Sequence, residues 1–123
     1  MAKDNNDDSP VGLPQQTFPA GEVIFREGMI GDVAYVVHEG EVEISRTGPK
    51  GRKVLGIIRR GGMFGEMALV DGKPRMADAT ATKETTCMII RRQMFLKKLE
   101  SSDPFIKGMI RIFVRNIRSM ANE

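Results

Sequence analysis

Between residues 17 and 90 the apolar residues come in short bursts separated by glycine-bearing breaks. The bursts are Val23, Ile24 and Phe25; Ala34, Tyr35, Val36 and Val37; Val42 and Ile44; Val54, Leu55, Ile57 and Ile58; and Met88, Ile89 and Ile90. Runs this short and this rich in Val and Ile predict β-strands. Glu41-Val42-Glu43-Ile44-Ser45 alternates strictly, so its strand should bury one face and wet the other. Thr47-Gly48-Pro49-Lys50-Gly51 carries turn chemistry and predicts a hairpin. Many short strands at near-regular spacing predict a sandwich or a barrel. After Ile90 the period lengthens. Phe95, Leu96 and Leu99 share one helical stripe over 91–100, and Asp103 followed by Pro104 gives a cap and a first turn. From there Ile106, Met109, Ile110, Phe113, Val114, Ile117 and Met120 recur at helical spacing, with Arg111, Arg115 and Arg118 expected on the opposite, solvated side.

The first sixteen residues, MAKDNNDDSPVGLPQQ, offer almost nothing to bury and read as a flexible tail. The expected plan is therefore a tail over 1–16 and one domain over 17–123, with a β roll over 17–90 and helices over 91–120. Composition narrows the chemistry. One Cys and one His among 123 residues provide neither an internal disulfide nor a zinc cluster. No catalytic residue and no cofactor is expected. His38 reads as a structural or surface histidine and Cys87 as a small core residue. No apolar run approaches the ~20 residues of a membrane span, the N-terminus is polar and acidic, and a reduced cytoplasmic setting is expected. Residues 91–123 hold eight basic and three acidic side chains, against eleven and thirteen in the preceding ninety. That basic excess reads as a wet helix face rather than a nucleic-acid surface.

One stretch breaks the strand texture. Gly61-Gly62-Met63-Phe64-Gly65 leads into Glu66-Met67-Ala68-Leu69, about one helical turn, and a Gly72-Lys73-Pro74 loop returns the chain to Arg75-Met76-Ala77-Asp78-Ala79. A short helix presents unpaired N–H groups at its start, Gly65 permits close approach to the backbone, and Arg75 offers a fork for two phosphate oxygens. Glu66 is placed to orient Arg75 or accept a sugar hydroxyl. Residue types alone leave two readings open: an anion cup, or a surface arginine beside a chain turn.

The segment as a whole resembles the phosphate-binding cassette of cyclic nucleotide-binding domains, as in cAMP-dependent kinase regulatory subunits and catabolite activator-type sensors. Phe18-Pro19-Ala20-Gly21-Glu22-Val23-Ile24-Phe25-Arg26-Glu27-Gly28, Gly31-Asp32 and Glu39-Gly40-Glu41-Val42-Glu43-Ile44 are similar to that family in order and spacing. The resemblance covers about residues 17–120. It implies an eight-stranded jelly-roll barrel followed by hinge and lid helices, with the hinge around Phe95 and Leu99 and the helix from Pro104 as lid. It also implies a cyclic nucleotide as ligand. Arg75 would hold the cyclic phosphate and Glu66 the ribose 2′-hydroxyl. Phe64, Gly65, Met67, Ala68, Met76 and Ala77 would line phosphate and sugar, and Leu55 would touch the base. Met76 replaces a residue that is often Ser, Thr or Ala, removing a hydroxyl that could bond a guanine and favouring cAMP over cGMP. Asp78 replaces an uncharged residue. At about 5 Å from a phosphate it would oppose binding by roughly 3 kcal/mol at an effective dielectric near 20, or else it would pair with Arg75.

Two further expectations follow. The apolar stripe of the last helix could pair with a second copy or a partner helix, which would suit a domain of this fold that had lost its nucleotide. Arg75→Ala is expected to abolish nucleotide binding at little cost in stability, since an arginine awaiting a ligand is not a packing residue.

Overall fold

The computed structural model describes residues 12–121. The chain runs through β1 (Gln15–Phe18), β2 (Val23–Phe25), β3 (Val33–Glu39), β4 (Glu41–Gly48), β5 (Gly51–Arg59), β6 (Met63–Phe64), α1 (Met67–Val70), β7 (Asp78–Ala81), β8 (Thr85–Arg91), α2 (Arg92–Glu100) and α3 (Pro104–Ala121). Two four-stranded antiparallel sheets, ordered β1-β8-β3-β6 and β2-β7-β4-β5, face each other as a jelly roll.

Burial explains the texture of the strands. β3 and β8 are covered on both sides, which is why each reads as an unbroken apolar run. Inside the barrel Tyr35, Val37, Cys87 and Ile89 pack with Phe18, Phe25, Val42, Phe64, Ala79 and Ala81. On the outer side Ala34, Val36, Met88 and Ile90 pack with Leu69, and Leu13, Val70, Met94 and Phe95 lean on that second cluster. The alternating β4 pairs on both sides, with β5 and β7. Its hairpin closes where Gly48 pairs with Gly51 around Pro49 and Lys50.

Three strands had no clear apolar signature. β1 begins at Gln15, inside the segment read as tail, because its pairing with Met88, Cys87, Thr86 and Thr85 is a backbone ladder in which only Phe18 is buried. Of the rest of the expected tail, residues 1–11 lie outside the described residues, while Leu13 packs on the outer cluster and Pro14 O accepts the Ile89 N–H at 2.9 Å. β6 is two residues long, and β7 buries only Ala79 and Ala81. At the C-terminal side, Asp103 accepts the Phe105 N–H at 2.7 Å, the cap read from sequence. The apolar stripe of α3, however, is only partly covered, with Met109 and Ile110 half-buried. Val114 is buried, while Ile106, Phe113, Ile117 and Met120 are exposed.

Candidate functional site

The site begins with an aromatic floor. Phe64 stacks on Tyr35 with centroids 4.9 Å apart, and Phe25 lies 6.0 Å from Phe64 and 6.1 Å from Tyr35. The Arg75 guanidinium carbon sits 4.1 Å above the Phe25 ring, a cation–π contact in a water-poor setting. Arg75 is only 6% exposed. Its main chain is clamped to the β2–β3 connection, donating to Met29 O and accepting from Gly28 N–H, both at 2.8 Å. Its side chain donates from Nη1 to Gly65 O at 3.1 Å and from Nη2 to Val33 O at 2.8 Å. The backbone turns to meet it. Gly65 has φ +75°, and a Cβ there would come within 2.7 Å of Nη1; a Cβ on Gly31 would come within 2.6 Å of Nε. Both glycines leave room for the fork.

The charge is not neutralised locally. Among the described residues no carboxylate pairs with Arg75, and its buried Nε has no hydrogen-bond partner. Burial pulls the guanidinium pKa below its ordinary value, while Tyr35 and Asp32 act in the opposite sense. A buried cation with an unsatisfied N–H is costly unless an anion completes it. Beside it lies a cavity of about 150 Å³ lined by Phe25, Ile44, Ile58, Met63, Phe64, Gly65, Glu66, Met67, Ala68, Arg75, Met76, Ala77 and Arg118. Glu66 stands at the start of α1, and the first backbone bond of that turn runs from Leu69 N–H to Glu66 O, so the N–H groups ahead of Leu69 lie upstream of the helical ladder.

Eight of the nine residues singled out from sequence therefore border one cavity. Leu55 does not. It is the extra residue of a bulge, since Ile44 pairs with Gly56 and Ser45 with Val54, and it is half exposed. Ile44 and Ile58 supply that wall instead. Asp78 does not pair with Arg75; its Oδ1 accepts the Glu27 N–H at 2.7 Å. Arg118 departs from the wet face expected for it. It is turned inward, lines the cavity and bonds Asp71 through both carboxylate oxygens. Phe25, Met63 and Arg118 were not separable by sequence pattern, because core, strand-edge and helix-surface residues of those types look alike before folding. Among the described residues there is no grouping of His, Cys, Asp and Glu that would hold a metal, and no helix long and apolar enough to cross a membrane.

A small jelly roll holding a buried arginine that lacks an anionic partner, with Gly31 and Gly65 making room for its fork, has the features of a domain that binds an anion. The sequence profile of the cyclic nucleotide-binding domain matches residues 15–102, and the chain belongs to that family. It is 31% identical over 106 residues to the CRP-like cAMP-activated global transcriptional regulator of Mycobacterium tuberculosis, covering 85% of this chain and 47% of that protein. It is 39% identical over 82 residues to a cAMP-dependent protein kinase regulatory subunit of Emericella nidulans, covering 67% of this chain and 19% of the subunit. The cAMP-bound EAL enzyme Bd1971 superimposes with a TM-score of 0.80 at 30% identity, over 89% of this chain and 30% of that one. The chain thus spans less than half the length of each of these proteins.

Proposed function

We propose that this domain is a non-catalytic cAMP sensor acting in the cytoplasm, in which Arg75 anchors the cyclic phosphate and α3 serves as lid. The observation that carries the reading is the buried Arg75 guanidinium, fixed by two carbonyls and a ring yet lacking an anionic partner, at the wall of a cavity shared with Glu66 and the first N–H groups of α1. A singly charged phosphodiester would complete its hydrogen bonding. Glu66 would then accept a ribose hydroxyl, and Gly65, Met67, Ala68 and Ala77 would bound phosphate and sugar. Met76 offers no hydroxyl to a guanine, which supports cAMP over cGMP. At about 150 Å³ the cavity is smaller than the ~300 Å³ at the low end for small-molecule pockets. Base and sugar would therefore extend past it, and α3, exchanging between a withdrawn position and its seat beside the cavity, would cover them when seated. The ligand shifts that equilibrium only as far as it prefers the closed state. Titration calorimetry with cAMP and cGMP tests the proposal; no heat from folded protein at millimolar nucleotide would end it.

The outward apolar face of α3, with Ile106, Phe113, Ile117 and Met120 exposed, supports a second reading. The helix would pair with its copy in a homodimer or with a partner helix, without nucleotide in a degenerate domain. Light scattering across concentration decides. A monomer at high concentration with tight nucleotide binding would rule it out.

A further inference from the structure

The Arg118 side chain is 12% exposed and that of Asp71 19%. Arg118 Nε donates to Asp71 Oδ2, and Nη2 donates to Oδ1 at 3.1 Å. The same guanidinium donates from Nη1 to Pro74 O at 3.2 Å and from Nη2 to Lys73 O at 3.4 Å. The Lys73 N–H returns to Asp71 Oδ1 at 3.0 Å. A single α3 side chain therefore gathers the C-terminal end of α1 and the loop that delivers Arg75. It also borders the anion cavity itself. The rest of the α3 attachment is modest: Val114 is buried and Met109 and Ile110 are half-buried, while Phe105, Ile106, Ile112, Phe113, Ile117 and Met120 are exposed. A bidentate, largely desolvated ion pair adds geometric specificity to a helix of which much of the apolar stripe is uncovered.

Resting on the sensor reading above, we propose that Asp71 and Arg118 are positioning residues. They join α3 to the loop preceding Arg75, so that the seating of the helix sets how firmly the cavity holds its anion. On one side Arg75 is fixed by Gly28 and Met29. On the other, Lys73 and Pro74 are tied to α3 by Arg118. Withdrawing α3 removes that tie and a second positive group from the cavity wall, and both changes weaken anion binding. By linkage, an anion on Arg75 strengthens the seated helix by the same factor.

Asp71→Asn in the full chain isolates the charge pair, because an amide oxygen still accepts the Lys73 N–H. Hydrogen exchange without ligand should rise about tenfold through α3 while β3 and β8 stay protected, and calorimetric affinity for cAMP should fall about tenfold. Asp71→Glu, which restores the carboxylate, should recover most of both; a purely structural cap would not distinguish Asn from Glu in this way. Exchange and affinity in Asp71→Asn both within twofold of the parent would overturn the proposal, and so would a loosened α3 with unchanged affinity. If the parent chain binds no cyclic nucleotide, the sensor reading and the affinity claim fall together. The exchange comparison then separately decides whether the pair seats the helix.

Discussion

Replacing Arg75 by alanine should do two things at once, and the second follows only from the structure. The guanidinium is nearly buried, donates to Gly65 O and Val33 O, and lies 4.1 Å above Phe25. Truncation strands two carbonyls, each hydrogen bond to a charged group being worth about 1.5–3 kcal/mol. It also removes a ring contact of about 0.5–2 kcal/mol. Part of that loss is offset, because an unpaired buried charge no longer has to be desolvated. A net destabilisation of about 2–4 kcal/mol corresponds to a fall in Tm of roughly 8–15 °C for a domain of this size. This replaces the sequence-based expectation of a small stability cost. Thermal melts with and without saturating cAMP read both effects: the parent should gain about 2.7 kcal/mol at a hundredfold excess over Kd, and the variant nothing. A Tm within about 3 °C of the parent would refute the packing role. A ligand-induced shift of parental size would refute the anion role.

Gly31→Ala reaches the same guanidinium from the other side, since the added methyl would fall within 2.6 Å of Nε; cAMP affinity should drop at least tenfold in calorimetry although no ligand contact is mutated. Glu66→Ala should weaken cAMP binding by about tenfold, one hydrogen bond's worth, and leave the ligand-free melt unchanged. Asp71 supplies a pH test. Burial pushes its carboxyl up, but hydrogen bonds from Arg118 and the Lys73 N–H outweigh this and hold it below its ordinary value of 3.8. A depressed carboxyl contributes fully above its unfolded pKa and loses that contribution as pH falls through the folded one. Protection of α3 in hydrogen exchange should accordingly stay constant from neutrality to about pH 4 and decline only in stronger acid.

How much of this was legible beforehand depended on whether the signal was carried by side chains or by backbone. β3 and β8 announced themselves because both faces are covered, by Phe25 and Phe64 on one side and Leu69 and Phe95 on the other. β1 and β7 were hidden because their pairing is a matter of main-chain ladders between Gln, Thr and Ala. The order of Gly65, Glu66 and Arg75 marked the cavity, but Leu55 did not stay with it, since a bulge is set by the register of two distant strands. The direction of α3 was the hardest to foresee. A helix with seven apolar residues at core spacing is expected to bury them, and here Ile106, Phe113, Ile117 and Met120 lie outside while Arg118 turns inward to Asp71.

The seat of Arg75 on Phe25 carries a consequence for descent. On the proposed reading anchor and keystone are one residue, so a lineage that no longer needed the ligand could not simply erase the arginine. It would first have to refill the space above the ring and satisfy two orphaned carbonyls. Descendants that have gone silent should therefore show paired changes at positions 25, 31 and 75 rather than a solitary loss.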